Sequence, residues 1–138
     1  MNYNIKIIIY LILVIIETIL DKQFRNCKNN YGKLLLIFHH FISIYLYFGS
    51  FIFGYHLIHL LFIILVGLLY KIYKKCPITI IQNNLCNFEN NTLFQSYLNH
   101  IHMYLKNMNI MHIHLIMLII ISIYDLYYIN KNYKFIKI

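Results

Sequence analysis

Four apolar stretches, residues 3–20, 34–53, 55–73 and 110–129, take up more than half of this 138-residue chain. A bilayer core is about 30 Å thick, so a spanning helix needs about 20 mostly apolar residues. Each stretch comes close to that length. The expected fold is therefore an all-α polytopic membrane protein, one membrane domain over residues 1–138, with no obvious internal repeat and no room for a second domain.

Composition supports this once its bias is set aside. Ile, Asn, Lys, Tyr and Phe dominate, Ala and Trp are absent, and Arg25 is the only arginine, as an A+T-rich genome would dictate. Mutational drift alone would not sort charges into the gaps between apolar runs. The 12% of charged residues, against 61% hydrophobic, are sorted in that way. A net charge of +8 would suggest nucleic acid for a soluble domain, but here the lysines flank apolar segments and suit lipid head groups. The lipid bilayer is thus the expected partner, with other membrane proteins or a second copy beside it, and nucleic acid is not.

The first stretch has no small-residue cleavage point after Glu17 and Asp21, so it reads as a retained helix rather than a signal peptide. Lysine and arginine are uneven between the two faces. Lys22, Arg25, Lys28, Lys33, Lys71, Lys74, Lys75 and Lys106 fall on one, and Lys6, Lys131, Lys134 and Lys137 on the other. That bias places both termini on the non-cytoplasmic face. Cys27, Cys76 and Cys86 lack zinc or redox spacing. The 9 residues between Cys76 and Cys86 would allow a disulfide on an oxidising side, but free thiols are expected.

Between the second and third stretches, Gly49 and Gly54 bracket a turn too short for a loop, which predicts a tight antiparallel hairpin. Gly67 then falls at the depth of His40 and would leave room for its imidazole. From Leu93 to Leu105 apolar residues recur at helical spacing, which predicts an amphipathic surface helix over about residues 91–106. Asn90, Asn91 and Thr92 form a glycosylation sequon that the expected orientation turns to the cytoplasm. Pro77 should stop the third helix, and Thr79 could cap the next segment.

Candidate chemistry lies in Glu17, His39, His40, His56, His59, His112, His114 and Asp125, because ionisable groups inside spans face the bundle, a partner or a head group. Glu17, His39, His40, His112 and His114 are expected in one leaflet, and His56, His59 and Asp125 toward the other. His39 and His40 point about 100° apart and neither they nor His112 and His114 chelate from one face. His56 and His59, three apart, do share one. The expected role of the first group is interfacial or interhelical hydrogen bonding, with His40 meeting His112 or His114. A metal held with Glu17, or a haem between His40 and His112 or His114, is the first alternative, and catalysis or proton transfer the second. Cys76, beside Lys74 and Lys75, is a candidate reactive thiol, with a structural turn preferred.

The run His39-His40-Phe41-Ile42-Ser43-Ile44-Tyr45-Leu46-Tyr47-Phe48-Gly49, followed by His59-Leu60 and Cys76-Pro77-Ile78-Thr79, resembles uncharacterised small multi-pass membrane proteins of large nucleocytoplasmic DNA viruses. The part from Cys76 through Asn84 to Tyr97-Leu98 is similar to a bacterial family of four-helix membrane proteins of unknown function with a C-P-L-T motif. The two cover roughly residues 33 to 100. They imply architecture, and a viral source with a host or virion membrane, but carry no activity or cofactor. The tryptophan expected near the end of the third helix is absent, and Tyr70 or Tyr73 occupies that region. Two function classes are open. One is a structural or interaction protein of the membrane, not an enzyme and without a cofactor. The other is a haem- or metal-binding anchor of a redox complex, although the S-x-x-H-R-x-x-G pattern of such anchors is missing.

Overall fold

The computed structural model describes residues 2–73, 76–88 and 110–133, with the backbone alone for Lys22, for residues 110–113 and for Tyr133. All regular structure among them is helical: α1 (Tyr3–Leu20), α2 (Lys22–Asn26), α3 (Asn30–Phe53), α4 (His56–Tyr73), α5 (Pro77–Cys86) and α6 (Ile110–Tyr133). Three of these, α1, α3 and α4, are long and apolar enough to cross a membrane. The expected surface helix over 91–106, the sequon at Asn90 and the lysines at 74, 75, 106, 134 and 137 lie outside the described residues.

Local chemistry sets the helix ends. Asn2 caps α1, its side chain accepting from the Asn4 amide at 3.3 Å. Asp21 then turns extended, ends α1, and caps α2 by accepting from the Gln23 amide at 2.8 Å. Asn29 caps α3 through the amides of Tyr31 and Gly32, four residues earlier than the apolar run at Leu34 suggests. A side-chain oxygen there satisfies amides that have no partner inside the helix. Gly54 ends α3 at φ 76°, a left-handed geometry that costs glycine nothing. Gly49 is therefore not a turn residue, and the α3–α4 connection is the two residues Gly54 and Tyr55 alone. Pro77 opens α5 at its first turn, where its missing N–H is no loss. Cys76 takes the capping position without a side-chain bond, and Thr79 is buried inside α5 rather than capping it.

α3 is the central element. It packs most extensively against α1 and α5 and less against α4 and α6, while α4 packs broadly on α6. The hairpin of α3 and α4 is thus one contact among several. Leu46, Ile63, Leu118 and Ile121 form the apolar core where α3, α4 and α6 meet, with Tyr47, Phe62 and Val66 around it. Gly67, expected against His40, is exposed and meets open space. The close approaches occur at Gly32, where an added Cβ would lie 2.5 Å from Cys86 Sγ, and at Gly49, where it would lie 3.0 Å from His59 Cδ2.

Outward, the long helices are apolar. Ile5, Ile8, Ile12, Ile15 and Ile19 of α1, Leu57, Leu61, Leu65 and Leu68 of α4, and Ile116, Ile119, Ile120 and Ile123 of α6 are all exposed. Continuous apolar surface of this extent is unusual in water and ordinary in lipid. At one end α2 and α5 wrap the first turns of α3 and form a cap. A Cys27–Cys86 disulfide closes it, which corrects the expectation of free thiols and the alternative pairing of Cys76 with Cys86. The correct partners are 59 residues apart in sequence and meet only because α3 and α4 carry the chain away and back to the same end. Cys76 remains a free thiol.

Candidate functional site

Ionisable side chains gather at two levels of the bundle. Under the cap, α1 brings Glu17 and the α1–α2 junction brings Asp21 to the two edges of one imidazole, that of His40 on α3. Glu17 Oε2 lies 3.7 Å from His40 Nδ1, and Asp21 Oδ2 lies 3.3 Å from His40 Nε2. All three are buried, His40 completely. These separations exceed the 2.7–2.9 Å of a short charge-assisted bond. Because the carboxylates reach opposite ring nitrogens, they do not converge on one point as metal ligands must. Among the described residues no group of three or more His, Cys, Asp or Glu side chains is arranged to hold a metal ion.

Beside this cluster, His39 turns the other way, as adjacent helical residues do. Its Nδ1 faces Gln82 Oε1 of α5 at 3.5 Å, and Gln82 Nε2 donates to Gln23 Oε1 of α2 at 3.0 Å. Gln82 is fully buried, so this chain of amides ties α2, α3 and α5 under the disulfide.

The opposite end is built the other way round. His56 and His59, one turn apart on α4, share a face and both meet Asp125 of α6. His56 Nδ1 is 2.9 Å from Oδ1 and His59 Nδ1 is 2.6 Å from Oδ2. His59 Nε2 donates to the Tyr45 carbonyl of α3 at 2.9 Å. A carbonyl only accepts, so Nε2 carries a proton, and the short Nδ1–Oδ2 contact must hold a second one between acid and base. The His59–Asp125 pair is then neutral as a unit, whichever atom carries that proton. Both Asp125 and His59 are fully buried. Rings close the outer side: Tyr128 stacks on His56 at 4.7 Å, Tyr124 meets it edge-on, and Phe51 packs on Tyr124 at 4.4 Å.

Apart from both clusters, His114 Nδ1 of α6 hydrogen-bonds the Tyr47 hydroxyl of α3, and the Tyr70 ring of α4 lies 6.3 Å from the His114 ring. Tyr10 of α1 donates to the Phe41 carbonyl at 2.5 Å.

Of the five groups expected in one leaflet, the four with described side chains do not all meet one another. Glu17 and His40 meet, His39 serves α5, and His114 serves Tyr47; the His112 side chain lies outside the described residues. His40 meets carboxylates rather than His114, because α1 and its C-cap supply one acid each beside the ring while α6 places His114 against Tyr47. Cys76 is half-buried and Thr79 buried, and neither joins either cluster. Reading residue types along the chain overlooked Asp21, Gln23 and Gln82. The signal for Asp21 was present, since it is a second acid four residues after Glu17 at the end of an apolar run. Gln82 and Gln23 carried none, because neutral amides in a loop-like stretch look solvated.

No protein-family model, curated protein or solved structure matches the chain.

Proposed function

We propose that the chain is a multi-pass membrane protein with a structural or interaction role, in which buried histidines join helices rather than hold a cofactor. The observation that carries this reading is that each histidine with a described side chain spends a ring nitrogen on a protein partner. His39 faces Gln82, His40 faces Glu17 and Asp21, His56 and His59 face Asp125, and His114 faces Tyr47. Except for the Asp21–His40 contact at a helix end, these pairs join long helices or tie the cap to α3. Ionisable groups inside a span are costly unless paired in this way.

α6 serves as the fourth span in this reading. Its exposed side carries Leu115, Ile116, Ile119, Ile120, Ile123 and Leu126 while its inner side meets α4. The exposed apolar faces of α1, α4 and α6 are the surfaces open to lipid, to another membrane protein or to a second copy.

The alternative of a redox anchor makes a different demand. A haem between helices needs two imidazoles with free nitrogens turned toward one gap. Purification in detergent, with an absorption spectrum and metal analysis, separates the two. The structural reading expects no Soret band and less than one equivalent of any transition metal per chain. A stoichiometric chromophore lost in His40→Ala or His114→Ala would replace it.

A further inference from the structure

The cap and the lysine count disagree about which compartment they face. Eight of the twelve cations place the cap end on the cytoplasmic side, where thiols stay reduced. The cap nevertheless closes on a Cys27–Cys86 disulfide.

We propose that the cap, made of α2, residues 27–29 and α5, faces an oxidising compartment, and that Asn2 at the opposite end lies on the cytoplasmic side. This rests on reading α1, α3 and α4 as spans. With three crossings, the residues after α1 and those after α4 share a face, which the Cys27–Cys86 bond requires.

The surroundings are shaped to the bond. Cys27 is 1% exposed, and α3 presents Gly32 to both sulfurs, with an added Cβ lying 2.5 Å from Cys86 Sγ and 2.8 Å from Cys27 Sγ. Asn29 caps α3 two residues after Cys27, so the bond fastens the start of the central helix to the end of α5. Forming it removes two protons and two electrons from the thiols. The acceptor is a disulfide oxidant of that compartment, which leaves as a dithiol after exchange.

One cation at the cap, Lys33, makes a contact that does not depend on a cytoplasmic location. Lys33 Nζ sits 5.8 Å from the Phe24 ring centre. Loop charge is a bias on insertion, whereas a buried disulfide records the compartment in which the chain matured.

The test uses the full chain expressed in cells. Alkaline carbonate should leave it in the membrane; release would refute the spans themselves. On retained protein, free thiols are blocked with N-ethylmaleimide, disulfides are reduced, and new thiols are tagged with a polyethylene-glycol maleimide. Two tags per chain are expected in wild type and none in a Cys27→Ser, Cys86→Ser double variant. No tags in wild type would overturn the proposal while leaving the spans intact.

Orientation is read with a membrane-impermeant maleimide on intact cells, using Cys76 and, in a Cys76→Ser background, Asn2→Cys. External labelling of Cys76 with protection of Asn2→Cys until permeabilisation is the expected result. External labelling of Asn2→Cys overturns the proposal whatever Cys76 does.

Discussion

The two ends of the bundle hold clusters of opposite composition. Away from the cap, one carboxylate, Asp125, serves two imidazoles at 2.9 and 2.6 Å; under the cap, one imidazole, His40, serves two carboxylates at 3.3 and 3.7 Å. In the first, each carboxylate oxygen meets its own ring nitrogen at hydrogen-bond distance. In the second, two acceptors reach one ring, and its contacts are longer. Burial alone therefore does not make a histidine–acid cluster a strong joint; the balance of donors and acceptors does.

The largest expected effect falls on the balanced cluster. Asp125→Ala removes the acceptor of both His56 and His59 and should lower the stability of the detergent-solubilised protein by about 3 kcal/mol, the cost of breaking a buried pair. Thermal unfolding followed by circular dichroism would measure it. A loss below about 1 kcal/mol would show that the tight geometry contributes little, and the comparison would break.

Next come the two glycines, one at each end. Gly32→Ala drives a Cβ into both sulfurs of a buried disulfide, which have little freedom to move, while Gly49→Ala meets the Tyr45 and His59 rings. Overpacking of this kind costs about 1–3 kcal/mol, and we expect Gly32→Ala near 2 and Gly49→Ala near 1. The reverse order in the same unfolding assay would mean that the cap yields more easily than the α3–α4 contact.

A smaller effect is expected for Glu17→Gln, which replaces one of the two carboxylates facing His40. Interhelical hydrogen bonds in membranes average only about 0.6 kcal/mol, so the change should stay below about 1 kcal/mol in either direction. A cost equal to that of Asp125→Ala would show that both carboxylates are needed on His40 and that the two ends are equally strong. Smallest of all is Gly67→Leu, whose added side chain enters open space and should leave stability within about 0.5 kcal/mol of wild type. A clear loss would place Gly67 in a contact with a partner or a second copy.

The long helices were legible because apolar length and helical bonding are set by consecutive residues. Tyr3 to Leu20 was read with the bounds it has, and α4 and α6 to within a few residues, since apolar length is a property of consecutive positions. The start of α3 was missed by four residues because Asn29 caps it through a side-chain bond that hydropathy does not register. The shared face of His56 and His59 was likewise a consequence of helical spacing.

Which groups meet is a different kind of information. Depth placed Glu17 and His40 at one level and Asp125 toward His56 and His59, but not the rotation of each helix about its axis. That rotation set His114 against Tyr47, turned Gly67 outward and brought Gly32 and Gly49 to the close contacts. The cap was hidden for the same reason: Cys27 and Cys86 are separated by 59 residues, and their pairing depends on how α3 seats between α1 and α5. Sequence alone determined that the chain is built of apolar helices of membrane-spanning length, because hydration and backbone bonding act residue by residue. Tertiary structure decided partners, since charge balance and close packing depend on which faces the helices turn toward one another.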